Sequence, residues 1–150
     1  MTLSPQVAGG PADRQRMRRA ASLEHLVYLS KARPGLSAVD VRAILGNAQV
    51  KNRRRDVTGF LLYSGRHFVQ VLEGRAAELD ELVKAIESDD RHGGLCVLDR
   101  QPIKHRRYGA WAMGFTESLD DADELDRLFD GTTPAAAMVG GILERAARSV

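Results

Sequence analysis

With 150 residues, 43% of them hydrophobic, the chain has enough apolar material for one ordinary core but not for two independently stable domains. A single cysteine, Cys96, excludes an intrachain disulfide and a cysteine-based zinc site and points to a reducing compartment, with the cytoplasm as the expected location. A net charge of +2 argues against binding nucleic acid over the whole surface, and no apolar run is long enough for a membrane span or an export signal.

Residues 1–22 combine Pro5, Gly9, Gly10 and Pro11 with Arg14, Arg16, Arg18 and Arg19 and offer few large apolar side chains. A solvated basic tail is expected there, the alternative being a short basic helix that folds on a partner. Leu23 to Ser30 then reads as a strand, with His25, Val27 and Leu29 on one face and Leu26, Tyr28 and Ser30 on the other. Arg33-Pro34-Gly35 breaks it, and Ser37 followed by Asp40 marks a helix start. Val41, Ile44, Leu45 and Ala48 recur at helical spacing, and that helix is expected to end near Asn52.

Val57 to Ser64 and His67 to Glu73 are strands joined by a Ser64-Gly65-Arg66 hairpin turn, and Phe68, Gln70 and Leu72 share a face of the second. Leu79, Leu82, Val83 and Ile86 predict a second amphipathic helix, stopping around Asp89 to Gly94. Leu95 to Leu98 and Tyr108 to Phe115 predict two more strands, the latter placing Trp111, Met113 and Phe115 on one face. The order is strand, helix, strand, strand, helix, strand, strand: an α+β fold in which right-handed crossovers put both helices on one face of a single sheet. The other face needs a cover. Residues 117–150 open acidic, with Leu119, Leu125, Leu128 and Phe129 interspersed, and after the Gly131 to Pro134 break a helix bearing Met138, Ile142 and Leu143 is expected to supply it.

Gln70 is an amide among apolar strand residues, which is costly unless both its ends are hydrogen-bonded. Alone it reads as an amide satisfied by neighbouring backbone, just as Trp111 and Met113 alone read as core. Lys51 to Arg55, apart from Asn52, read as cations complementing a helix C-terminus. The four histidines, at 25, 67, 92 and 105, show no metal-ligand spacing, so no metal site is expected.

Several short motifs occur in order: Tyr28-Leu29-Ser30, Gln49 to Asn52, Val57-Thr58-Gly59, Gln70-Val71-Leu72-Glu73-Gly74, Asp89-Asp90-Arg91-His92, Pro102-Ile103, Arg106-Arg107 and Trp111-Ala112-Met113. Together they make the chain resemble the BLUF family, which senses blue light with a flavin, from about Leu23 to Phe115. Ala48 and Lys51 depart modestly from the family's commonest residues. The resemblance implies a ferredoxin-like, five-stranded mixed sheet in a domain spanning 23–116, flanked by the tail at 1–22 and a helical extension at 117–150. It implies non-covalent FAD between the two helices. Tyr28 would be the electron and proton donor, Gln70 the amide between phenol and flavin, and Asn52 a partner of the ring's polar edge. Ile44 and Ile86 would pack on the ring faces, with Arg91 and His92 near the ribityl and phosphate chain. Trp111 and Met113 would relay the signal by exchanging proximity to Gln70; which of them faces it in the dark is not legible.

The implied output is a protein partner or self-association, with no enzymatic reaction, no membrane and no nucleic acid involved. A small ferredoxin-like enzyme of the acyl-phosphate-hydrolysing kind is an alternative reading, but it needs an anion-cradling loop that the segment between first strand and helix does not provide. A light-inactive partner-binding module is the other alternative, and the presence of both Tyr28 and Gln70 argues against it.

Overall fold

A computed structural model of the chain describes residues 10–129 and 135–148. Residues 1–9, Asp130, the Gly131 to Pro134 break and the side chains of Phe129 and Met138 lie outside the described residues. Where a solvated tail was expected, Pro11–Ala21 form a helix, α1. Pro11 fits the first helical turn, Asp13 sits near the N-terminus, and Arg18 and Arg19 complement the dipole of the last turn. The helix has no fully buried residue, so helix-forming Ala, Arg, Gln and Met side chains and favourable end charges account for it better than core burial does.

The sheet contains β1 (Leu23–Ala32), β2 (Thr58–Tyr63), β3 (His67–Arg75), β4 (His92–Pro102) and β5 (Gly114–Glu117), in the order β4-β1-β3-β2-β5. All neighbouring pairs are antiparallel except β2 and β5, giving the expected five-stranded mixed sheet. The central strand β3 sets Gln70 opposite Tyr28 on β1 and opposite Leu61 on β2. Two helices, α2 (Ala38–Arg55) and α3 (Ala76–Glu87), follow β1 and β3. Leu79 and Leu82 of α3, with Ile44, Leu45 and Ala48 of α2, pack over Leu26, Tyr28, Leu61 and Leu72, so both helices lie on one face as expected.

The start of α2 is a reciprocal cap. Ser37 Oγ accepts from the Asp40 backbone N–H at 3.1 Å while an Asp40 carboxylate oxygen accepts from Ser37 N–H at 3.0 Å. The helix runs past Asn52 through three arginines, all good helix formers, and stops where Asp56 turns left-handed at φ 54°. At the hairpin, Gly65 supplies φ +92° and Ser64 Oγ accepts from the N–H groups of Arg66 and His67.

Two strand expectations are corrected. The apolar run Leu95 to Leu98 is only the middle of β4; this is an edge strand whose ends are glycine or polar, so hydrophobic alternation shows just its half-buried centre. Tyr108 to Phe115 is not one strand: Trp111 N–H closes a turn on Tyr108 C=O at 3.1 Å, and pairing with β2 begins only at Gly114. Period-two alternation puts Trp111 and Met113 on one face only if the backbone is extended, and here it is not.

The second face is closed from the C-terminal side by α4 (Ala122–Phe129) and α5 (Ala135–Arg148). Leu125, Leu128, Val139, Ile142 and Leu143 pack against Val27, Leu29, Phe60, Leu62, Val69 and Val71. A polar joint fixes α4 to the hairpin: Arg66 bonds Asp123 and Asp126, each at 2.8 Å, and His67 Nε2 lies 2.8 Å from Asp126 Oδ1. His67 Nδ1 lies 3.0 Å from Ser64 Oγ, but Ser64 and His67 are 2% and 1% exposed, so this Ser-His-Asp alignment is a structural joint and offers no nucleophile to a substrate.

Candidate functional site

Between α2 and α3, above the central strands, lies a partly open cleft. Its floor comes from Tyr28 on β1, Leu61 on β2, and Phe68, Gln70 and Leu72 on β3. One wall is α2, with Ile44, Ala48, Lys51 and Asn52; the other is α3, with Leu82, Ala85 and Ile86. Asp89, Arg91 and His92 line it where α3 passes into β4. Every residue expected around the cofactor, namely Tyr28, Ile44, Asn52, Gln70, Ile86, Arg91 and His92, therefore lines one cleft.

The strand register explains the floor. Tyr28 and Gln70 are cross-strand partners, so their side chains meet on the same face, and the Tyr28 hydroxyl donates to Gln70 Oε1. Burial pushes the Tyr28 phenol well above its ordinary range, with the Asp89 carboxylate adding to the shift, so the phenol stays protonated at neutral pH and remains a donor. The other end of the amide, Gln70 Nε2, donates to Met113 Sδ at 3.4 Å. A thioether is a weak acceptor, so this end is held less firmly.

Three contacts hold the segment bearing Met113. Asn52, 2% exposed, donates to Ala112 C=O at 2.8 Å. Gln49 donates to Met113 C=O at 3.2 Å, and Gly59 N–H to Trp111 C=O at 3.2 Å. Met113 thus lies on the cleft side with Tyr28 and Leu61, whereas Trp111 lies with the opposite cluster. Its ring is 5.7 Å from that of Phe60 and 6.2 Å from that of Tyr108, and it shares a surface depression with Glu144 and Ala147 of α5. In this structure Met113 is the neighbour of Gln70, and Trp111 and Met113 do not share one strand face.

At the mouth, Arg91 clasps Asp89 through its Nε at 2.9 Å, and the guanidinium holds the Asp89 carboxyl down at about 2. His92 Nδ1 lies 2.8 Å from Ser30 Oγ, and its ring stands edge-on to Phe68 at 6.0 Å. Sequence reasoning gave no role to Gln49 or to Asp89. A half-buried amide on the inner side of α2 is the signal that identifies the former, and an acidic residue two positions before an arginine identifies the latter.

The donor set suits a flavin: apolar side chains on both helices flank the cleft, amides occupy one edge, and cations stand at the mouth. Among the described residues there is no group of three or more His, Cys, Asp or Glu able to hold a metal, and no helix is long and apolar enough to cross a membrane.

A family model described as sensors of blue light using FAD matches residues 23–114. Photoactivated adenylate cyclase subunit beta of Euglena gracilis is 34% identical over 119 residues, covering 75% of this chain and 13% of that protein. The chain thus spans a small part of such relatives. Among solved structures, BlrB, a BLUF protein in its dark state, is 33% identical with a TM-score of 0.70, covering 84% of this chain and 98% of the other. BlrP1 of Klebsiella pneumoniae, solved with FMN and cyclic diGMP, is 34% identical with a TM-score of 0.60, over 70% of this chain and 30% of the other.

Proposed function

The chain belongs to the BLUF family of flavin-based blue-light sensors, and on that premise we propose that Tyr28, Gln70 and Met113 are its switch and FAD its flavin. The observation that carries the reading is the chain of contacts on the cleft floor, from Tyr28 hydroxyl to Gln70 Oε1 and from Gln70 Nε2 to Met113 Sδ.

When bound, a flavin absorbs blue light and supplies a strong oxidant beside the phenol. Ile44 and Ile86 would flank its ring, Asn52 and Gln70 would meet the polar edge, and Arg91 and His92 would stand near the ribityl and phosphate chain. Tyr28 would serve as the electron and proton donor, its proton passing along the hydrogen bond to Gln70 Oε1 and returning with the electron, so that no net oxidation of the phenol remains. Gln70 then rotates or changes tautomer, exchanging the end it shows to Tyr28. Met113 releases the amide at little cost because its sulfur binds it weakly. Trp111, packed near α5, carries the displacement to the C-terminal segment.

In this reading residues 23–116 are the light-sensing domain, 117–150 an extension and 1–22 an appendage whose α1 is basic. The chain turns over no substrate, is cytoplasmic, and passes its signal to a protein partner or a second copy. Absorption spectra before and after blue light test the reading. A yellow protein releasing FAD, with a small reversible red shift, is expected. Tyr28→Phe and Gln70→Leu should each abolish the shift while flavin remains bound; a normal shift in either variant refutes its role. Comparing elution in the dark and under blue light shows whether self-association is part of the output.

A further inference from the structure

We infer that Glu73 is a positioning residue: its carboxylate fixes the start of the segment that ends in Trp111 and Met113, and so keeps those two side chains on opposite faces of the sheet. The light-dependent half of this inference rests on the switch reading above.

Glu73 lies three residues beyond Gln70 on β3, so the alternation of the strand turns it to the other face, where it lines a cavity with Val71 and Tyr108 beneath α5. It is 1% exposed, and a buried carboxylate persists only where hydrogen-bond donors replace its lost water. The donors are the backbone N–H groups of Arg107, at 2.6 Å, and Tyr108, at 2.7 Å, with the Thr58 hydroxyl at 3.3 Å. Arg106 braces the same corner, donating to Thr58 Oγ1 at 2.9 Å, Glu73 C=O at 3.0 Å and Asp56 C=O at 2.8 Å.

The dependence runs both ways. Without the carboxylate, two backbone N–H groups lose their acceptors; without the segment, a buried charge loses its donors. Residues 107–113 are therefore held at one end by Glu73 and at the other by Gln49, Asn52 and Gly59. No strand pairing lies between these anchors, which fix the ends of the backbone that carries Trp111 and Met113. A push on Met113 moves Trp111 only while the Glu73 end stays fixed; otherwise the segment yields.

Trp111 is the only tryptophan in the chain, so indole fluorescence reads this segment alone. In the full-length protein kept dark, Glu73→Gln should raise acrylamide quenching of Trp111 at least about twofold through local opening. Flavin content and the red shift should persist, while the difference in quenching between dark and light disappears. Glu73→Asp keeps both acceptor oxygens and should restore part of that difference, which a general loss of stability would not. If Glu73→Gln fails to fold, Arg106→Gln loosens the same corner by releasing Thr58, whose hydroxyl donates to the carboxylate, and should change quenching in the same direction. Quenching equal to that of the parent, in dark and in light, overturns the inference, and equal quenching in Arg106→Gln does so where Glu73→Gln cannot be made. A parent protein with no red shift would remove the photoreceptor reading, yet the dark comparison would still decide the role of Glu73.

Discussion

At the scale of single residues, Gln70 is accommodated in the core because its two amide ends have unequal partners, a phenol and a thioether. The phenol beside Gln70 was expected through the family resemblance, with strand alternation fixing only the face on which each residue lies, and the thioether partner was not legible. His67 shows a different balance. Burial holds its imidazole below the ordinary range, outweighing the Asp126 carboxylate beside it, while Arg66 and Lys31 push the same way as burial. A histidine depressed in the folded state favours the neutral ring, so its contribution is present above its unfolded value of about 6.5 and is lost as pH falls through the lower folded value. The thermal midpoint should therefore decline on acidification from about 6.5. His67→Gln should flatten that part of the curve, as a series of melts across pH would register; an unchanged slope would refute the assignment.

Elements differ in how plainly they announce themselves. The start of α2 was readable in Ser37 and Asp40, and both reciprocal bonds form. Ser37→Ala should cost about 1 kcal/mol. This would appear as a lower denaturant midpoint with no change in the red shift, because the cap stands away from the cleft floor. The segment before β5 was misread for a definite reason. Its alternating apolar residues imitate a strand, but the side chains of Glu73, Asn52 and Gln49 and the backbone N–H of Gly59 hold its backbone, and none of those long-range partners is visible in local periodicity. In α1 a helix was only the alternative to a solvated tail, since a search for apolar faces gives little weight to a helix with no fully buried residue.

For the molecule as a whole, the sheet is a partition, with the cleft and two helices on one side and α4 and α5 on the other. The general plan was legible because five strands and two amphipathic helices have few right-handed arrangements. The route from one side to the other was not, because it depends on a loop. The central place of β3 bears on how the protein can move. Residues 68–73 pair with β1 along one edge and with β2 along the other, so this stretch cannot slide without breaking two ladders at once. In the proposed switch, light would turn the Gln70 side chain without displacing the strand that carries it. Amide protons of Val69 to Leu72 should therefore exchange with solvent among the slowest in the chain and at the same rate in darkness and light, while those of residues 107–113 exchange faster under illumination. Hydrogen-exchange mass spectrometry would measure both, and acceleration in β3 would mean that the beam itself gives way. What a photon would change on the sheet, in that proposal, is then the state of one side chain, carried on a strand that keeps no record of it.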